Sequence, residues 1–319
     1  MKAIRKLRYG SPDVLEVHEV DPPEVPDDAV LVRVRATSVN AHDWHMLRGK
    51  PYMARLGDGL RRPKSPLVGI DVAGTVEAAG ADVRDLQAGD RVFGARSGAF
   101  AEYVASKNMV PMPADLTFEQ AAAVPIAGFT ALQGIRDVGN LQPDHRVLVN
   151  GAGGGVGSFA VQIARALGAD VTAVTNTGNL EMVASIGADR VIDYSREDFT
   201  RGRDRYDLIV DAGGNHSLRA LRRALTPAGT VVMVAPGPGQ WIGPVARIGW
   251  AIISSRFSDR KVRPFLADAS RDDMFVLREL IEAGKITPVI DRTFPFDQIP
   301  DAIRYVEEGR ARGKVVITV

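Results

Sequence analysis

The sequence predicts an α/β protein in which a doubly wound parallel sheet is joined to a smaller, mostly β domain. The chain has 319 residues, more than a single hydrophobic core usually serves, so we expect two domains. Up to about residue 105 the pattern is one of short strands and turns. Beyond Pro113, aliphatic strands alternate with amphipathic helices, which is typical of a parallel sheet covered on both faces.

The mostly β domain is assigned to residues 1–120, and residues 266–319 are expected to complete it. Residues 29–36 alternate apolar and basic side chains, which predicts a strand, and further strands are predicted at 69–79 and 90–94. The C-terminal part is predicted to add a helix at 274–283, a turn at Gly284, strands near Val289 and Phe294, a helix at 299–308 and a strand at 314–319.

The doubly wound domain is assigned to residues 121–265. An alanine-rich stretch at residues 119–134 is predicted to be helical. After it, strands and helices are predicted in regular alternation at residues 146–150, 156–167, 170–175, 180–186, 190–193, 207–211, 218–225 and 230–235. This order is that of consecutive strand and helix units in a doubly wound fold.

Charge and composition exclude several classes of function. The 40 Lys and Arg residues nearly cancel the 39 Asp and Glu residues and no run of like charges stands out, so the sequence gives no electrostatic signal for a nucleic-acid partner. A small-molecule partner is therefore favoured. The chain contains no cysteine, which excludes disulfides, thiolate catalysis and cysteine-ligated zinc.

The sequence gives no signal for a membrane or for secretion. The first ten residues carry too many charges for the apolar centre of a signal peptide. The longest apolar stretch, residues 241–257, is interrupted by Pro244 and Arg247 and is too short to cross a bilayer. We expect a cytoplasmic protein with no membrane partner. Residues 241–253 are expected to be core, with a substrate-pocket wall or a dimer surface as alternatives.

A glycine-rich turn is the most specific chemical signal. Residues 147–157 read VLVNGAGGGVG and lie between a predicted strand and a predicted helix. Glycines there let backbone N–H groups approach a pyrophosphate at the positive end of the helix. We expect the cofactor to be bound by Gly153, Gly154, Gly155, Val156 and Gly157. The alternative is a structural turn that binds nothing.

The choice of cofactor is predicted from the end of the second strand. Enzymes that use NAD usually present an acidic residue there, and residues 174–179 contain no carboxylate to repel a 2′-phosphate. NADPH is therefore favoured, and NADH remains possible. The segment has no Arg or Lys either, so a polar loop that is indifferent to the two cofactors is the alternative.

Several segments together resemble the medium-chain dehydrogenase/reductase superfamily. They read SVNAHDW at 38–44, VGIDVAGTV at 68–76, PIAGFTA at 125–131, GADRVIDY at 187–194 and GKVV at 313–316. The resemblance implies a Rossmann cofactor domain and a GroES-like substrate domain. Zinc enzymes of the superfamily place a cysteine at Asn40 and a His-Glu pair at Ile70-Asp71. The chain is thus similar to the zinc-free quinone oxidoreductases, and in particular to the subgroup of the reticulon-interacting mitochondrial oxidoreductase.

The resemblance also implies site residues. The catalytic candidates lie on a loop entering the cleft between the domains, and they are Asn40, Asp43, His45 and Tyr52. Thr130 would meet the nicotinamide, and Thr175, Asn176 and Tyr194 would surround the 2′-phosphate. The rest of the cofactor channel would be lined by Gly213, Ala235, Arg310, Arg312 and Lys314.

Each of these assignments has a structural alternative. Tyr194 also fits an ordinary aromatic residue at a strand end, and Asp43 and Asp71 also fit aspartates that cap backbone N–H groups. Relatives often have an arginine where this chain has Gly178, so the phosphate contact is expected to be weaker or to come from elsewhere. His42 and His45 flank Asp43, but no third ligand is evident and we expect no metal.

The predicted function is hydride transfer from NADPH to a quinone or an α,β-unsaturated carbonyl compound, by an enzyme expected to be a homodimer. Asn40, His45 or Tyr52 would donate a hydrogen bond to the developing enolate oxygen, and Tyr52, His45 or solvent would supply the proton. One alternative is an enoyl-thioester reductase, with a basic rim at Arg55, Arg61, Arg62 and Lys64. Another is a non-catalytic NADPH-binding sensor or interaction protein.

Overall fold

The computed structural model describes residues 1–235, 237, 239 and 242–319, without the side chains of residues 242 and 244. The chain divides into two compact units. Unit 1 comprises Met1–Ala127, Ala269–Glu282 and Pro288–Val319, and unit 2 comprises Gly128–Asp268 and Ala283–Thr287. The sequence pattern had assigned residues 1–120 and 266–319 to one domain and residues 121–265 to the other. In the structure, residues 121–127 cluster with unit 1, and residues 266–268 and 283–287 cluster with unit 2. One physical link is Gln162, whose side-chain amide exchanges hydrogen bonds with the backbone of Thr287.

The N-terminal part of the chain forms strands and short helices. In chain order they are β1 (Lys2–Lys6), β2 (Leu15–Glu19), β3 (Val30–Val39), α1 (Ala41–Arg48), α2 (Ala54–Asp58), β4 (Asp71–Ala79), β5 (Arg91–Ala95), β6 (Tyr103–Ser106), β7 (Met109–Pro111) and α3 (Phe118–Ala122). A new helix, α4 (Pro125–Gln133), then begins at a proline, which has no N–H to donate and is therefore suited to a first turn. The single helix predicted at residues 119–134 is thus two helices.

The middle of the chain alternates strands and helices as predicted. Its elements are β8 (Arg146–Asn150), α5 (Gly155–Ala166), β9 (Asp170–Thr175), α6 (Leu180–Ser185), β10 (Arg190–Asp193), β11 (Tyr206–Asp211), α7 (Leu218–Arg223), β12 (Leu225–Met233), α8 (Ile242–Ser254) and β13 (Lys261–Pro264). The last elements are α9 (Arg271–Glu282), β14 (Ile290–Pro295), α10 (Ile299–Glu307) and β15 (Lys314–Thr318). The helix α8 and the strand β13 were not predicted.

Unit 1 is built on a seven-stranded sheet in which the C-terminal strand β15 pairs with β3 from the N-terminal part of the chain. The strand order is β14-β15-β3-β4-β5-β7, and β6 pairs with β3. Along the first part of β3 the side chains alternate between buried and more exposed positions, and Val30, Val32 and Val34 are in the core. The C-terminal strand β15 is antiparallel to β3, so that Val315 lies opposite Val39. This pairing brings the C-terminal segment beside the residues around Asn40.

Unit 2 is a six-stranded parallel sheet with the order β10-β9-β8-β11-β12-β13. The doubly wound fold predicted from the alternation is therefore confirmed. The central strand β8 buries Val147, Leu148 and Val149 completely, as expected for a strand covered on both faces. The strands β9 and β10 are added on one side of β8, and β11, β12 and β13 on the other, so the strand order reverses between β8 and β11. Ligands of such sheets bind beyond the carboxyl ends of the strands at this switch point.

The prediction that residues 241–253 form core is wrong for most of the described segment. Val245, Trp250, Ile252 and Ile253 are exposed, whereas Ala251 is fully buried. Residue 241 lies outside the described residues. Helix α8 therefore turns Ala251 toward the protein interior and its large apolar side chains toward solvent. Within the described residues, no helix combines the length and the apolar character needed to cross a membrane.

Candidate active site

The glycine turn (residues 151–157) joins β8 to α5 at the carboxyl edge of the unit 2 sheet. Gly154 is the N-cap residue of α5, and the first intrahelical bond runs from the Ser158 N–H to the Gly154 carbonyl. The N–H groups of Gly155, Val156 and Gly157 precede that bond, so they have no partner in the helix. These donors and the positive end of a twelve-residue helix form a site suited to an anion.

The glycines of this turn are required for different reasons. A Cβ atom at Gly157 would lie 2.1 Å from the Gly151 carbonyl oxygen, so this glycine lets the helix pack on the turn. A Cβ atom at Gly153 would lie 2.3 Å from Nδ2 of Asn179. At Gly154 the nearest atom would be the Gly151 oxygen, 3.6 Å away. No internal contact therefore demands glycine at 154, and this position has the space into which a phosphate group would fit.

The loop after β9 meets a carboxylate that the sequence prediction did not include. Asp193 ends the neighbouring strand β10, and its Oδ2 accepts a hydrogen bond of 2.6 Å from the Thr177 hydroxyl. Its Oδ1 accepts bonds from the backbone and the hydroxyl of Ser195. These bonds, that of Thr177 first, lower the pKa of Asp193, so the group is ionised at neutral pH. Residues 174–179 themselves contain no carboxylate, but Asp193 reaches this loop because the parallel strands β9 and β10 end side by side.

Three residues predicted near the adenosine end are found around this loop. Thr175 is buried at the end of β9, close to Gly153, and Asn176 is the N-cap residue of the short turn that follows, without a capping hydrogen bond from its side chain. The backbone N–H of Tyr194 donates to the Thr175 carbonyl, and the Tyr194 side chain is 54% exposed. The strand pairing of β9 and β10 therefore brings these three residues together.

A polar network lies at the ends of β8 and β11, on both sides of the switch point. Nδ2 of Asn150 donates to Oδ1 of Asp211 over 2.8 Å, and the Gly214 N–H donates to the same oxygen. Arg247 from α8 forms a salt bridge of 3.0 Å with Oδ2 of Asp211. A Cβ atom at Gly213 would collide with Asn150, which explains glycine there. The network fixes the loops that carry the predicted residues Gly213 and Ala235.

The predicted cleft loop of unit 1 is a helix. Asn40 is the N-cap residue of α1, and Oδ2 of Asp43 accepts a 2.7 Å hydrogen bond from the Asn40 N–H, which is one half of a capping box. Asp43 and His45 are therefore helical residues, and Tyr52 follows the helix in a turn. The prediction of a loop was wrong because the signal of an Asn followed by an Asp three residues later was not used as a helix start.

Four buried side chains of unit 1 form a polar cluster (Ser38, Asn40, Asp71 and Lys314). The Lys314 ammonium donates to Oδ1 of Asn40 over 2.5 Å and forms a salt bridge of 3.2 Å with Asp71. Nδ2 of Asn40 donates to Oδ2 of Asp71, which also accepts from the Ser38 hydroxyl. Lys314 was expected along the cofactor channel, but its side chain is only 2% exposed and is directed into this cluster. The pairing of β15 with β3 places it there.

The carboxyl group of Asp43 lies close to the polar cluster and is itself fully buried. Burial raises the pKa of Asp43 to about 7, and the negative charge of Asp71 acts in the same direction. The hydrogen bond from the Asn40 backbone and the charge of Lys314 act against this rise. Asp43 is therefore a buried carboxyl group that gains or loses its proton near neutral pH.

His45 is held by its neighbours in one orientation. Its ring stacks on Trp44 with 3.6 Å between centroids, and Nδ1 lies 2.8 Å from the carbonyl oxygen of Lys50. A carbonyl oxygen only accepts, so Nδ1 carries the proton in this arrangement and Nε2 is an acceptor in the neutral ring. Burial lowers the pKa of His45, which favours the neutral ring at pH 7. His45 thus presents an acceptor rather than a donor.

Tyr52 is positioned by a cation. The Arg55 guanidinium lies 4.8 Å from the Tyr52 ring centroid and 4.4 Å from the Tyr9 ring centroid. Its Nε donates to the Gly49 carbonyl over 3.0 Å, which fixes the guanidinium. Arg55 therefore serves to pack two tyrosines, whereas Arg61, Arg62 and Lys64 are exposed.

The remaining predicted residues are found on other elements of the two units. Thr130 is half-buried on α4 in unit 2. Arg310 and Arg312 are exposed in the turn before β15, in unit 1, and Arg310 pairs with Glu308 over 2.9 Å. In the described ranges, no group of three or more His, Asp or Glu side chains is arranged to hold a metal ion.

Sequence reasoning missed four residues that organise these sites. Asp193 and Asp211 end buried strands, and a polar residue at the carboxyl end of an aliphatic strand is a usable signal for a site. Arg247 is a lone cation in an apolar segment, which predicts a buried partner. Tyr9 gave no signal, because its contact with Arg55 joins segments that are far apart in sequence.

Two family models match this chain. The alcohol dehydrogenase GroES-like domain matches residues 26–114, and the model described as zinc-binding dehydrogenase matches residues 186–317. The first falls on the strands of unit 1. The second begins in unit 2 and extends to the C-terminal strand.

Whole-chain comparisons agree with these models. The chain is 36% identical to mouse mitochondrial NAD(P)H oxidoreductase RTN4IP1 over 91% of this chain and 81% of the relative. It is 34% identical to 2-methylene-furan-3-one reductase of Solanum lycopersicum over 99% of this chain and 79% of the relative. The solved quinone oxidoreductase of Coxiella burnetii superposes with a TM-score of 0.85 at 28% identity, covering 100% of this chain and 99% of the other. The chain belongs to the quinone-oxidoreductase-like family of the medium-chain dehydrogenase/reductase superfamily.

Proposed function

We propose that this protein reduces quinones or α,β-unsaturated carbonyl compounds with NADPH and without zinc. The family supplies the reaction class, since its members are oxidoreductases that use a nicotinamide cofactor. The reductase relative is named for a furanone in which an exocyclic C=C bond is conjugated with a carbonyl group, and a quinone is a doubly conjugated case of the same arrangement. An electron-poor carbon next to a carbonyl group is thus the common chemical feature.

The polar cluster of unit 1 is the observation that carries the zinc-free part of the proposal. It occupies the positions at which the resemblance places the zinc ligands, around Asn40 and Asp71. The Lys314 ammonium at this position would repel a divalent cation, and both oxygens of Asp71 already accept hydrogen bonds. An amide, a hydroxyl and an ammonium group do not form the ligand set that zinc prefers. The residues present therefore do not fit a catalytic zinc ion.

The glycine turn of unit 2 fits the nicotinamide cofactor. The N–H groups of residues 155–157 would hold the pyrophosphate, and the open space at Gly154 would admit it. The bound cofactor supplies a hydride. The side chains of this protein then have to orient the acceptor and stabilise the negative charge that develops on its carbonyl oxygen.

Tyr52 is the side chain that we assign to the developing oxyanion. Neutral His45 presents an acceptor nitrogen, which would oppose a negative charge. The amide of Asn40 is already bonded to Asp71 and Lys314, so we assign it to holding the start of α1. A phenol O–H donates readily, and the contact with Arg55 restricts the ring. We therefore revise the sequence-based set of donors in favour of Tyr52.

The preference for NADPH is supported by Asn176 and opposed by Asp193. No residue from 174 to 179 is acidic, so no acid stands where enzymes that use NAD bind the ribose hydroxyls. Asp193 nevertheless contributes a negative charge next to Thr177, although three hydrogen bonds and the nearby Arg196 offset part of it. We expect NADPH to bind more tightly than NADH by a small factor. The cytoplasmic location and the homodimer stay predictions from the sequence.

A steady-state screen of quinones and enones with NADPH and NADH tests the reaction. Single-turnover hydride transfer to the best substrate then separates chemistry from binding. Tyr52→Phe should lower this rate on the order of 10²-fold, while the NADPH affinity stays near that of the parent. Tyr103→Phe, on β6, is the matched control. Tight NADPH binding without turnover of any quinone or enone would instead favour a non-catalytic binding protein.

Chelation tests the zinc-free assignment separately. Activity should be indifferent to a chelator, and metal analysis should find no stoichiometric zinc. Zinc near one equivalent, with activity lost on chelation and restored by metal, would overturn this part of the proposal.

A further inference from the structure

Helix α8 has an unusual distribution of side chains for a surface helix. It buries Arg247, whose side chain is 11% exposed, and the small residue Ala251. It exposes Trp250, Ile252 and Ile253 to more than half of their full accessibility. A surface helix normally turns its large apolar side chains toward the core. In α8 the arrangement is inverted, so the large apolar side chains do not pack against the sheet of unit 2.

The exposed apolar side chains form one continuous surface. At 3.6 residues per turn, Val245, Trp250, Ile252 and Ile253 fall within an arc of about 160° around the axis of α8. Phe257 follows the last turn and is 86% exposed. Large contiguous apolar surfaces on soluble domains mark sites of association with proteins or membranes. We call these five residues the α8 face.

Cations border the α8 face. Arg256 is exposed in the turn directly after the helix, Arg260 precedes β13, and Lys261 is the first residue of that strand. Lys261 donates to the Ser255 carbonyl and Arg260 to the Thr226 carbonyl, which are neutral partners. Within the described residues, none of these three cations forms a salt bridge with an acidic side chain, and the exposed Asp259 is the one acid in the same segment, so the border of the α8 face carries a net positive charge.

We propose that the α8 face binds the surface of an anionic lipid bilayer, with Trp250, Ile253 and Phe257 inserted at the level of the headgroups. Aromatic and aliphatic side chains on one face of a helix, next to Arg and Lys, are the pattern of helices that lie in a membrane interface. Anionic headgroups would offset the three unpaired cations. This proposal departs from the sequence-based expectation of no membrane partner, which rested on the lack of a spanning segment.

A second copy of the chain fits the α8 face less well. In a symmetric dimer, the second copy would place its own α8 face and the cations beside it against Arg256, Arg260 and Lys261. The only acidic residue in the sequence between residues 243 and 267 is Asp259. Two positively charged segments would then be brought together without acids to offset them. Lipid headgroups supply the missing negative charge, whereas the partner copy does not.

Vesicle binding by the full chain tests the proposal. Sedimentation with phosphatidylcholine vesicles is compared with sedimentation with vesicles that also contain phosphatidylglycerol. We expect binding to the anionic vesicles that weakens as salt concentration rises, and little binding to the neutral ones. The triple variant W250Q/I253Q/F257Q should bind at least about tenfold more weakly, because it loses most of the inserted apolar area. The pair R256Q/K261Q should lose the preference for anionic lipid.

A matched pair of single variants and a mass measurement separate lipid binding from self-association. Ile253→Gln should weaken vesicle binding, whereas Val17→Gln, at a residue exposed to a similar extent in unit 1, should not. Melting curves should match the parent, because both side chains face solvent. Equal vesicle binding by parent and triple variant would overturn the proposal. So would a change in molar mass in solution caused by Ile253→Gln, since it would identify the α8 face as a subunit interface.

Discussion

The glycine turn of unit 2 and the polar cluster of unit 1 use hydrogen-bonding groups in opposite ways. The turn presents backbone N–H groups at a helix start, where a missing side chain at Gly154 leaves space. The cluster fills its space with Asn40, Asp71 and Lys314, which satisfy one another inside the protein. The turn is therefore suited to a ligand, whereas the cluster is suited to fixing a helix and a strand. A buried polar group is evidence for a binding site only where its partners are incomplete.

The largest expected effect is on the polar cluster. Lys314→Met removes the cation that faces Asp71 and should cost about 3–5 kcal/mol in the free energy of unfolding, because it leaves an uncompensated buried charge. Chemical denaturation measures this. The double variant D71N/K314M should recover much of the loss. Lys107→Met, which breaks an exposed ion pair with Asp28, is the control and should change stability by less than about 0.5 kcal/mol.

The second prediction contrasts two glycines of the turn. Gly154→Asp should weaken NADPH binding by a factor of about 100 or more, since a carboxylate would face the phosphates, while the melting temperature stays near that of the parent. Gly157→Ala should lower the melting temperature, because its Cβ would collide with the Gly151 carbonyl. Fluorescence titration and melting curves of both variants check this. Undiminished NADPH affinity in folded Gly154→Asp would show that the turn is structural only.

The third prediction concerns the pH dependence of the free energy of unfolding that results from the raised pKa of Asp43, next to the polar cluster. The folded-state pKa of about 7 lies above the usual value of 3.8, so the folded protein binds the proton more tightly than the unfolded chain. This contribution to stability is present below about pH 4 and is lost as pH rises through 7. Asp43→Asn should therefore stabilise the protein by about 2 kcal/mol more at pH 8 than at pH 5. Denaturant midpoints at the two pH values check this, and equal differences would contradict it.

The smallest expected effect concerns cofactor preference in unit 2. Asp193→Asn should strengthen NADPH binding by a few-fold and leave NADH binding nearly unchanged, because a repulsion with the 2′-phosphate is removed. Asn176→Asp should act in the opposite direction and favour NADH. Dissociation constants for both cofactors check the pair. An equal effect of Asp193→Asn on the two cofactors would assign Asp193 to the structure of the loop alone.

The elements that were predicted correctly are those whose signal is local. The strand Asp170–Thr175 and the helices α5 and α10 follow from continuous apolar runs and helical periodicity, which act over a few residues. The helix α8 was missed because its exposed apolar side chains hide the usual periodicity. The strand β13 was missed because its sequence, KVRP, contains two cations and a proline and only one residue, Val262, that favours a strand.

The sequence by itself determined the two-domain α/β fold, the family and the glycine turn, since each is encoded in contiguous residues. Tertiary structure decided the rest, because the contacts join residues that are distant in the chain. Lys314 meets Asn40 only through the pairing of β15 with β3, and Asp193 meets Thr177 only because β9 and β10 end side by side. The raised pKa of Asp43 likewise depends on burial, which periodicity does not reveal for a polar residue. The partners and the burial that set the state of a charged group are present only in the folded protein.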